Sequence, residues 1–465
     1  MSALFRRGPT LHCVGHRAGA APAAAASLLL LAACAGSGQA AHHAALEQAL
    51  ARAGPPAASV PETPQAEDPW RGVALLERGR LVEQVLRRNP TLAAARSAWR
   101  AALARYPQET ALDDPMLGYT VAPRSLASGT GAPGNIVELS QAVPFPGKLA
   151  LRGEAALDAA DAAGHDFEGD RLRLATAASL LFDRWYEVAR ALEINREHRA
   201  LVEELRRSAL ARYAAGAAGP QDALAAELEG AELLHQGVEL ESDRTLVAAQ
   251  IDALLHLPTD GAVPPPPSVR ALPPRSDTAE SDWLAQALAS RPDLAAARSR
   301  EERGQSELAL ARREFLPDFR VKAAYDGTMD AAELRPQVGL ELNVPLQLGR
   351  RRAAVEQAQA ELDRQRSETA RVEDQVRLEV RTAVVRLHEA WHGLEIARDR
   401  VLPAARDRLA AARAAFESGD RPFSELLDAE RRLRDVELEV EQASTRVTAR
   451  TAELESAAGR IPDLP

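Results

Sequence analysis

Between residues 350 and 418 the apolar positions step three and four residues apart. Val355, Ala358, Leu362, Gln365, Thr369, Val372 and Val376 make one run. After an extra step of four, Val380, Ala383, Leu387, Ala390, Leu394, Ala397 and Val401 make another. This is a coiled-coil seam with one stutter, which locally unwinds the supercoil. Pro403 falls inside the same helix and predicts a kink there. A helix of this length spans about 100 Å at 1.5 Å per residue. A compact chain of 465 residues would have a radius of gyration of only about 23 Å, so the molecule is expected to be elongated.

Elsewhere the period is two. Val137, Leu139 and Val143 oppose Glu138, Ser140 and Ala142. Val338, Leu340, Leu342 and Val344 oppose Gly339, Glu341 and Asn343, and Phe319, Val321, Ala323 and Tyr325 oppose Arg320, Lys322 and Asp326. A weaker segment covers 116–122. Each is about 8–11 residues, the length of a tilted membrane strand.

The chain repeats itself. Asn89-Pro90-Thr91-Leu92-Ala93-Ala94-Ala95-Arg96-Ser97 matches Arg291-Pro292-Asp293-Leu294-Ala295-Ala296-Ala297-Arg298-Ser299 at an offset of 202. Val143-Pro144 matches Val344-Pro345, and Tyr213, Gly216, Leu224 and Glu227 match Phe416, Gly419, Leu427 and Glu430. Three anchors at nearly one offset indicate duplication. The first copy covers 74–257: an entry helix (74–108), a β-hairpin (116–144), a long helix (149–216), a tip turn (214–222) and a return helix (221–257). The second covers 280–460: an entry helix (280–316), a hairpin (318–345), a long helix (350–418), a tip turn (417–425) and a return helix (423–460). A Pro-rich linker, 258–279, joins them, and 461–465 is a tail. Within each copy the two shorter helices sum to the length of the long one, so end to end they would pair along it.

Composition narrows the class. The net charge is −10 and aromatics are only 4%, which argues against a nucleic-acid binder and for long helices. The two cysteines, Cys13 and Cys34, both lie at the N-terminus, so they form neither a disulfide framework nor a zinc site. Arg6, Arg7 and Arg17 precede a small apolar stretch ending Leu31-Ala32-Ala33-Cys34. This is a signal segment (1–33) whose end resembles the bacterial lipobox. Cys34 would become the acylated first residue, leaving a mature charge of −13. Residues 34–73 then read as a Pro- and Ala-rich tether. Ala35, where the lipoprotein resemblance would need Asp for inner-membrane retention, leans toward the outer membrane. An ordinary signal cut near Gln39-Ala40-Ala41 is the alternative.

Four strands have open edges and cannot close a barrel alone. In a bilayer those edges need partners, so the strand count calls for an oligomer. A dimer would give eight strands and a filled lumen; a trimer would give twelve and an aqueous one.

With these residues assembled, the chain resembles the TolC-like outer-membrane factors of tripartite efflux systems over about 74–460. The resemblance rests on the duplicated Asn-Pro and Arg-Pro helix entries and on Val137-Glu138-Leu139-Ser140-Gln141 leading into Pro144-Phe145-Pro146-Gly147-Lys148. The two Gly turns followed by acidic residues complete it. The Pro-Phe-Pro-Gly-Lys stretch and Leu151-Arg152-Gly153-Glu154 look most like the heavy-metal (CzcC/CusC-like) branch. The resemblance implies a mainly α fold with a membrane β part: a homotrimer with a 12-stranded barrel above a long coiled-coil α-barrel. It implies an outer-membrane, lipid-anchored duct with no chemistry and no cofactor, served by an inner-membrane pump and a periplasmic adaptor. Substrate would be heavy-metal cations, or organic drugs in the related branch.

By the same resemblance the tip turns, with Gly216 and Gly419 at the helix ends, carry the constriction. Asp222, Glu425 and Asp428 fall where the family places inward acidic residues, and Arg421 matches an arginine that ties the closed tip. A ring of carboxylates favours cations. Here Pro220 and Pro422 depart from the family by stiffening both turns, and the acids also suit ordinary first-turn helix charge.

His388-Glu389-Ala390-Trp391-His392 is a literal H-E-x-x-H, which on a helix can bind zinc with the Glu as base. A zinc metallopeptidase is therefore the enzyme alternative. Against it, the motif lies mid-seam, no third His follows at the expected spacing, and the first repeat carries Trp185 and Ala189 instead. The motif reads as a decoy, not a metal site. The remaining histidines, His198 among them, show no ligand clustering in sequence. A periplasmic coiled-coil adaptor is the third reading. It is disfavoured because adaptors carry one hairpin flanked by small β domains.

Overall fold

The computed structural model describes residues 38–53, 69–122, 134–216, 218–259, 261–275, 278–329 and 331–462. The signal segment 1–33 and Cys34 lie outside the described residues. Helix α1 (38–52) precedes α2 (Arg78–Arg88), α3 (Pro90–Leu103), α4 (Tyr106–Thr110), strands β1 (Met116–Ala122) and β2 (Gly134–Val143), α5 (Lys148–Ala214) and α6 (Pro220–Leu254). The second repeat gives α7 (Glu280–Ser290), α8 (Pro292–Arg313), β3 (Phe319–Asp326), β4 (Pro336–Leu342), α9 (Leu348–Ile396), α10 (Leu402–Ser418) and α11 (Phe423–Ala457). At 67 residues, α5 is about 100 Å long.

Three expectations need correction. The segment expected as a tether contains α1, whose Leu46, Ala49 and Leu50 pack toward Leu92, Trp99 and Phe167. Its alanines and leucines recur at helical spacing, and α3 and α5 offer them an apolar surface. Both entry helices are interrupted at the residue before proline. Asn89 has φ −66° and ψ 125°, and Arg291 has φ −66° and ψ 120°, because the following ring disfavours the helical ψ there. The break is used: Asn89 Nδ2 donates to Leu254 O at the end of α6 (2.9 Å), and Arg291 Nη1 reaches Ala457 O at the end of α11 (3.4 Å). The kink expected at Pro403 is a π-helical turn, Ala397–Val401, between α9 and α10. Proline lacks an N–H and crowds the carbonyl four residues back; one wider turn absorbs both without ending the helix.

The seam of the second long helix is its buried face, with Val376, Val380, Ala383, Leu387, Ala390, Leu394 and Ala397 all buried. On α5 the corresponding positions are often alanine, among them Ala156, Ala160, Ala175, Ala178 and Ala209. Small side chains let neighbouring helices approach closely. The largest apolar cluster lies midway along the helices, around Leu81, Val85, Phe182, Trp185, Val247 and Ile251. The Pro-rich linker straps across it. Trp185 Nε1 donates to Pro264 O (3.0 Å) and Leu76 N to Pro265 O (2.9 Å). Arg270 reaches Asp183 at 2.5 Å and stacks over the Tyr186 ring.

Strand and helix meet at a locked elbow. Gly147 sits at φ 88° with the Arg313 guanidinium where a Cβ would be, and Arg313 Nη1 donates to Pro146 O (2.8 Å). Lys148 is buried, and its Nζ donates to Asp318 Oδ1 (2.9 Å), Leu316 O (3.2 Å) and Glu314 Oε2 (3.4 Å). Phe145 N donates to the same Asp318 oxygen (2.8 Å). The Pro-Phe-Pro-Gly-Lys stretch thus ties the β2–α5 elbow of one repeat to the α8–β3 elbow of the other.

Replacing Lys148 with Ala leaves Asp318 half-shielded with only a backbone donor. The expected loss is about 2 kcal/mol, between an exposed and a buried pair, seen as a lower unfolding temperature in detergent. An unchanged temperature would show that the lysine contributes nothing to the elbow.

Candidate functional site

The sheet runs β1-β2-β3-β4, antiparallel throughout. Its register sorts side chains by polarity, because directly paired residues share a face. Leu117, Leu139, Ala323 and Val338 form one row; Tyr119, Val137 and Tyr325 form the next; Val321 pairs Leu340, and Phe319 pairs Leu342. This apolar face is the exposed one: Leu117 is 75% exposed, Leu340 65% and Val338 86%. The opposite face holds Glu138, Lys322 and Glu341, with Lys322 Nζ 3.3 Å from Glu138 and 2.5 Å from Glu341. One lysine thus joins three strands on that face. Water-soluble sheets bury their apolar face; this one presents it outward, the pattern of a membrane barrel wall. No described helix is long and apolar enough to cross a membrane.

At the far end the two helix-turn-helix tips pack together. Gly216 (φ 69°) follows α5 and Gly419 (φ 83°) caps α10. Left-handed backbone there lets the next amides return to the last carbonyls, as Asp420 N does to Ala415 O (2.9 Å). Phe416 and Phe423 meet edge-on at 5.3 Å, among Leu205, Ala209, Ala226 and Leu426. Arg212 lies over the Phe416 ring and donates to Phe416 O (2.7 Å). The first-repeat tip is therefore joined to the second by both an apolar contact and a charge-assisted bond.

Of the charged residues singled out in the tip turns, Arg421, Glu425 and Asp428 are exposed. Arg421 pairs within its own turn with Glu425 (3.2 Å), and Asp428 lies 3.8 Å from Arg431. Asp222 is half-buried in the first turn of α6, and its carboxylate suits the positive end of that helix. Pro220 occupies the first position of α6 and Pro422 the N-cap of α11, places where a missing N–H costs nothing. Each proline thus starts a return helix.

His388, Glu389 and His392 are exposed on α9, while Leu387, Ala390 and Leu394 between them are buried. His392 faces Glu395 at 3.4 Å. No described group of three or more His, Cys, Asp or Glu side chains could hold a metal ion.

A buried polar belt above the tip escaped the sequence reading. His198 on α5 lies between Glu430 and Glu437 of α11, with Nδ1 2.5 Å from Glu430 Oε1 and Nε2 2.9 Å from Glu437 Oε2. Glu229 on α6 is fully buried and holds Arg431 and Arg434, the latter at 2.9 Å. A signal existed: Asn195, His198, Val202, Leu205 and Ala209 are buried at seam spacing on α5, so a histidine at a seam position marked a polar layer. Its partners are 232 and 239 residues away, which no local pattern reveals. Replacing Glu229 with Ala leaves two arginines without their buried partner; the expected cost is about 3 kcal/mol, read as earlier thermal unfolding than for Glu232→Ala, which removes only the rim contact at 3.8 Å.

Residues 283–460 match the family model described as outer membrane efflux protein, whose members are passive channels, not enzymes. No curated protein matches the chain. The fold matches CusC with a TM-score of 0.71 at 17% identity, covering 84% of this chain and 94% of that one. It matches a membrane protein from Pseudomonas aeruginosa with a TM-score of 0.69 at 20% identity (82% and 93% covered). The Campylobacter jejuni CmeC outer membrane channel gives 0.68 at 15% identity (82% and 85% covered). The chain thus matches the outer membrane efflux proteins over 283–460 and has the fold of TolC-like outer-membrane channels.

Proposed function

We propose that the chain is the outer-membrane exit duct of a tripartite exporter, passive in itself and fed by an inner-membrane pump through a periplasmic adaptor. The sheet carries this reading: an apolar face exposed on four strands, an ion-paired polar face opposite it, and helices about 100 Å long leading away from it. The open edges of β1 and β4 are closed by neighbouring copies, and three copies give the twelve strands that leave an aqueous lumen. The three polar faces would then line that lumen.

Lipid anchoring through Cys34 fits the position of α1. Gln39 Nε2 donates to Ala150 O (2.9 Å), beside the strand-helix elbow. Three residues separate Cys34 from Gly38, a reach of at most about 14 Å, so an acylated Cys34 would lie near the membrane boundary. Heavy-metal cations are the substrate class we favour, on the Pro144–Lys148 stretch and the acidic tip; organic solutes are the alternative. Asp222, Arg421, Glu425 and Asp428 would form the gate, with three copies of each around the axis.

Light scattering and negative-stain imaging of protein extracted from outer membranes in mild detergent test the assembly. The expected particle is a trimeric tube longer than about 100 Å; a globular monomer holding stoichiometric zinc would instead restore His388, Glu389 and His392 as an active site. The gate has its own test. Replacing Glu425 and Asp428 with Ala is expected to lower cation preference in single-channel recordings, and unchanged selectivity would remove them from the gate.

A further inference from the structure

The two repeats differ where their long helices leave the sheet. In the first, α1 lies along α4 and α5. Gln39 Nε2 donates to Ala150 O (2.9 Å), His42 is 3.0 Å from Asp161, and His43 stacks on Tyr106. A Cβ at Gly153 would meet Gln39 and Thr110. At the repeat offset of 202, Thr110, Ala150, Gly153 and Asp161 become Arg312, Arg352, Val355 and Asp363. Those four line one open groove of about 560 Å³, whose described walls come from the end of α8, Phe315 just after it and the start of α9. We propose that this groove is a headgroup site for an anionic phospholipid, whose phosphodiester lies between Arg312 and Arg352 and whose acyl chains lie on Val344, Leu346 and Leu348.

The cations and the apolar row stand in the order of a lipid's head and tails. Arg313 and Arg351 are engaged by the protein, donating to Pro146 O (2.8 Å) and Glu314 O (2.6 Å). The guanidinium groups of Arg312 and Arg352 are exposed and have no hydrogen-bond or ion-pair partner among the described residues. A guanidinium fork matches the paired oxygens of a phosphodiester. Towards the sheet, Val344, Leu346 and Leu348 continue the outward row of β4 and stay exposed, Leu346 at 82%. Counting from the matched Val-Pro pairs, Leu346 corresponds to Phe145 of the first repeat, which is half-buried and stacks on Phe319 at 6.1 Å. Exposed apolar residues beside unpaired cations make a surface for an anionic amphiphile.

Charge selects the headgroup. Glu356 and Asp363 are the acids of the groove. Asp363 lies about 16 Å along α9 from Arg352 and accepts from Gln359 (3.1 Å). Glu356, one turn from Arg352, offsets only one of the two free arginines, so the mouth stays positive. Phosphatidylglycerol balances that charge; a headgroup with an added ammonium does not. The arginines are also poorly placed without an anion. Arg350, Arg351 and Arg352 open α9, whose first turn carries no acid, and cations at that end oppose the helix dipole. A phosphodiester beside them removes the conflict.

The placement of this groove at a membrane rests on the duct reading, so binding is read in detergent and insertion separately. Native mass spectra of the protein in neutral detergent are taken with phosphatidylglycerol, with phosphatidylcholine, and with inorganic phosphate as competitor. Phosphatidylglycerol is expected to bind in preference to phosphatidylcholine and to resist displacement by phosphate. Arg312→Gln and Arg352→Gln should each weaken it about fivefold. Arg352→Lys, which keeps the charge, should weaken it less, and Arg364→Gln, further along α9, should bind as wild type. Equal binding of the two lipids, unchanged affinity in both Gln variants, or displacement by inorganic phosphate would overturn the site. A photo-crosslinking side chain in place of Gln359 should capture lipid in membranes. Capture of a polypeptide, from this chain or another, would give the groove to a helix seated as α1 is and overturn the lipid. Insertion into vesicles of phosphatidylcholine and phosphatidylglycerol tests the duct alone: no insertion, with lipid preference retained in detergent, would sink the duct and keep the headgroup site.

Discussion

Four antiparallel strands with their apolar side facing out leave two rows of backbone donors and acceptors, along β1 and β4, without partners in the described chain. In water such edges can be hydrated; in hydrocarbon they must be paired. The polarity of the sheet makes the constraint acute. The side that favours lipid is exposed along all four strands, while the opposite side carries the ion-paired Glu138, Lys322 and Glu341. Everything else in the chain is consistent with a sheet that is completed by other copies. The repeats contribute strands in pairs, and the central β2–β3 pairing joins one repeat to the other.

The elbow below the sheet transmits that geometry to the helices. A strand running into a helix with only Pro-Phe-Pro-Gly between them has few ways to turn, and Gly147 takes the left-handed one. Lys148 and Arg313 then pin the turn to the other repeat. Because the two elbows share Asp318, the tilt of the strands and the direction of α5 are coupled. The helices below hold that direction by long seams rich in alanine, where close backbone approach substitutes for bulky core residues.

Charge is distributed along the molecule with a clear division. Many ion pairs, such as Arg206–Glu203, Arg364–Glu361 and Arg371–Glu368, link residues three or four apart on one exposed helix face and contribute little. Several with a buried partner cross between repeats, Lys148 to Asp318 at the elbow and Glu229 to Arg434 and His198 to Glu430 near the tip, while Arg270 of the linker reaches Asp183 at the central cluster. Apolar seams would tolerate sliding by a heptad; a buried charge with one geometrically matched partner does not. The duplicated halves are thus alike in shape and locked together by residues that the duplication does not share. At offset 203 the position matching His198 is Val401.

The sequence alone determined the local periods and therefore the elements. The seam from Val355 to Val401, the alternating segments and the repeat offset predict the long helices, the strand pairs and the tip turns, because each depends on residues only two to four positions apart or on direct self-similarity. Proline chemistry was legible in kind but not in outcome: the Asn89 and Arg291 breaks and the π-helical turn before Pro403 depend on how neighbouring helices absorb a lost hydrogen bond. The Pro-Phe-Pro-Gly-Lys stretch was visible as a motif, yet its role is tertiary, since Asp318 and Arg313 come from the other repeat. The buried belt was the least legible, because His198, Glu430 and Glu229 look like ordinary helix charges until three helices from both repeats enclose them. Short-range periodicity is written along the chain; the pairing of buried charges is a property of the packed interior, and only the tertiary structure decided it.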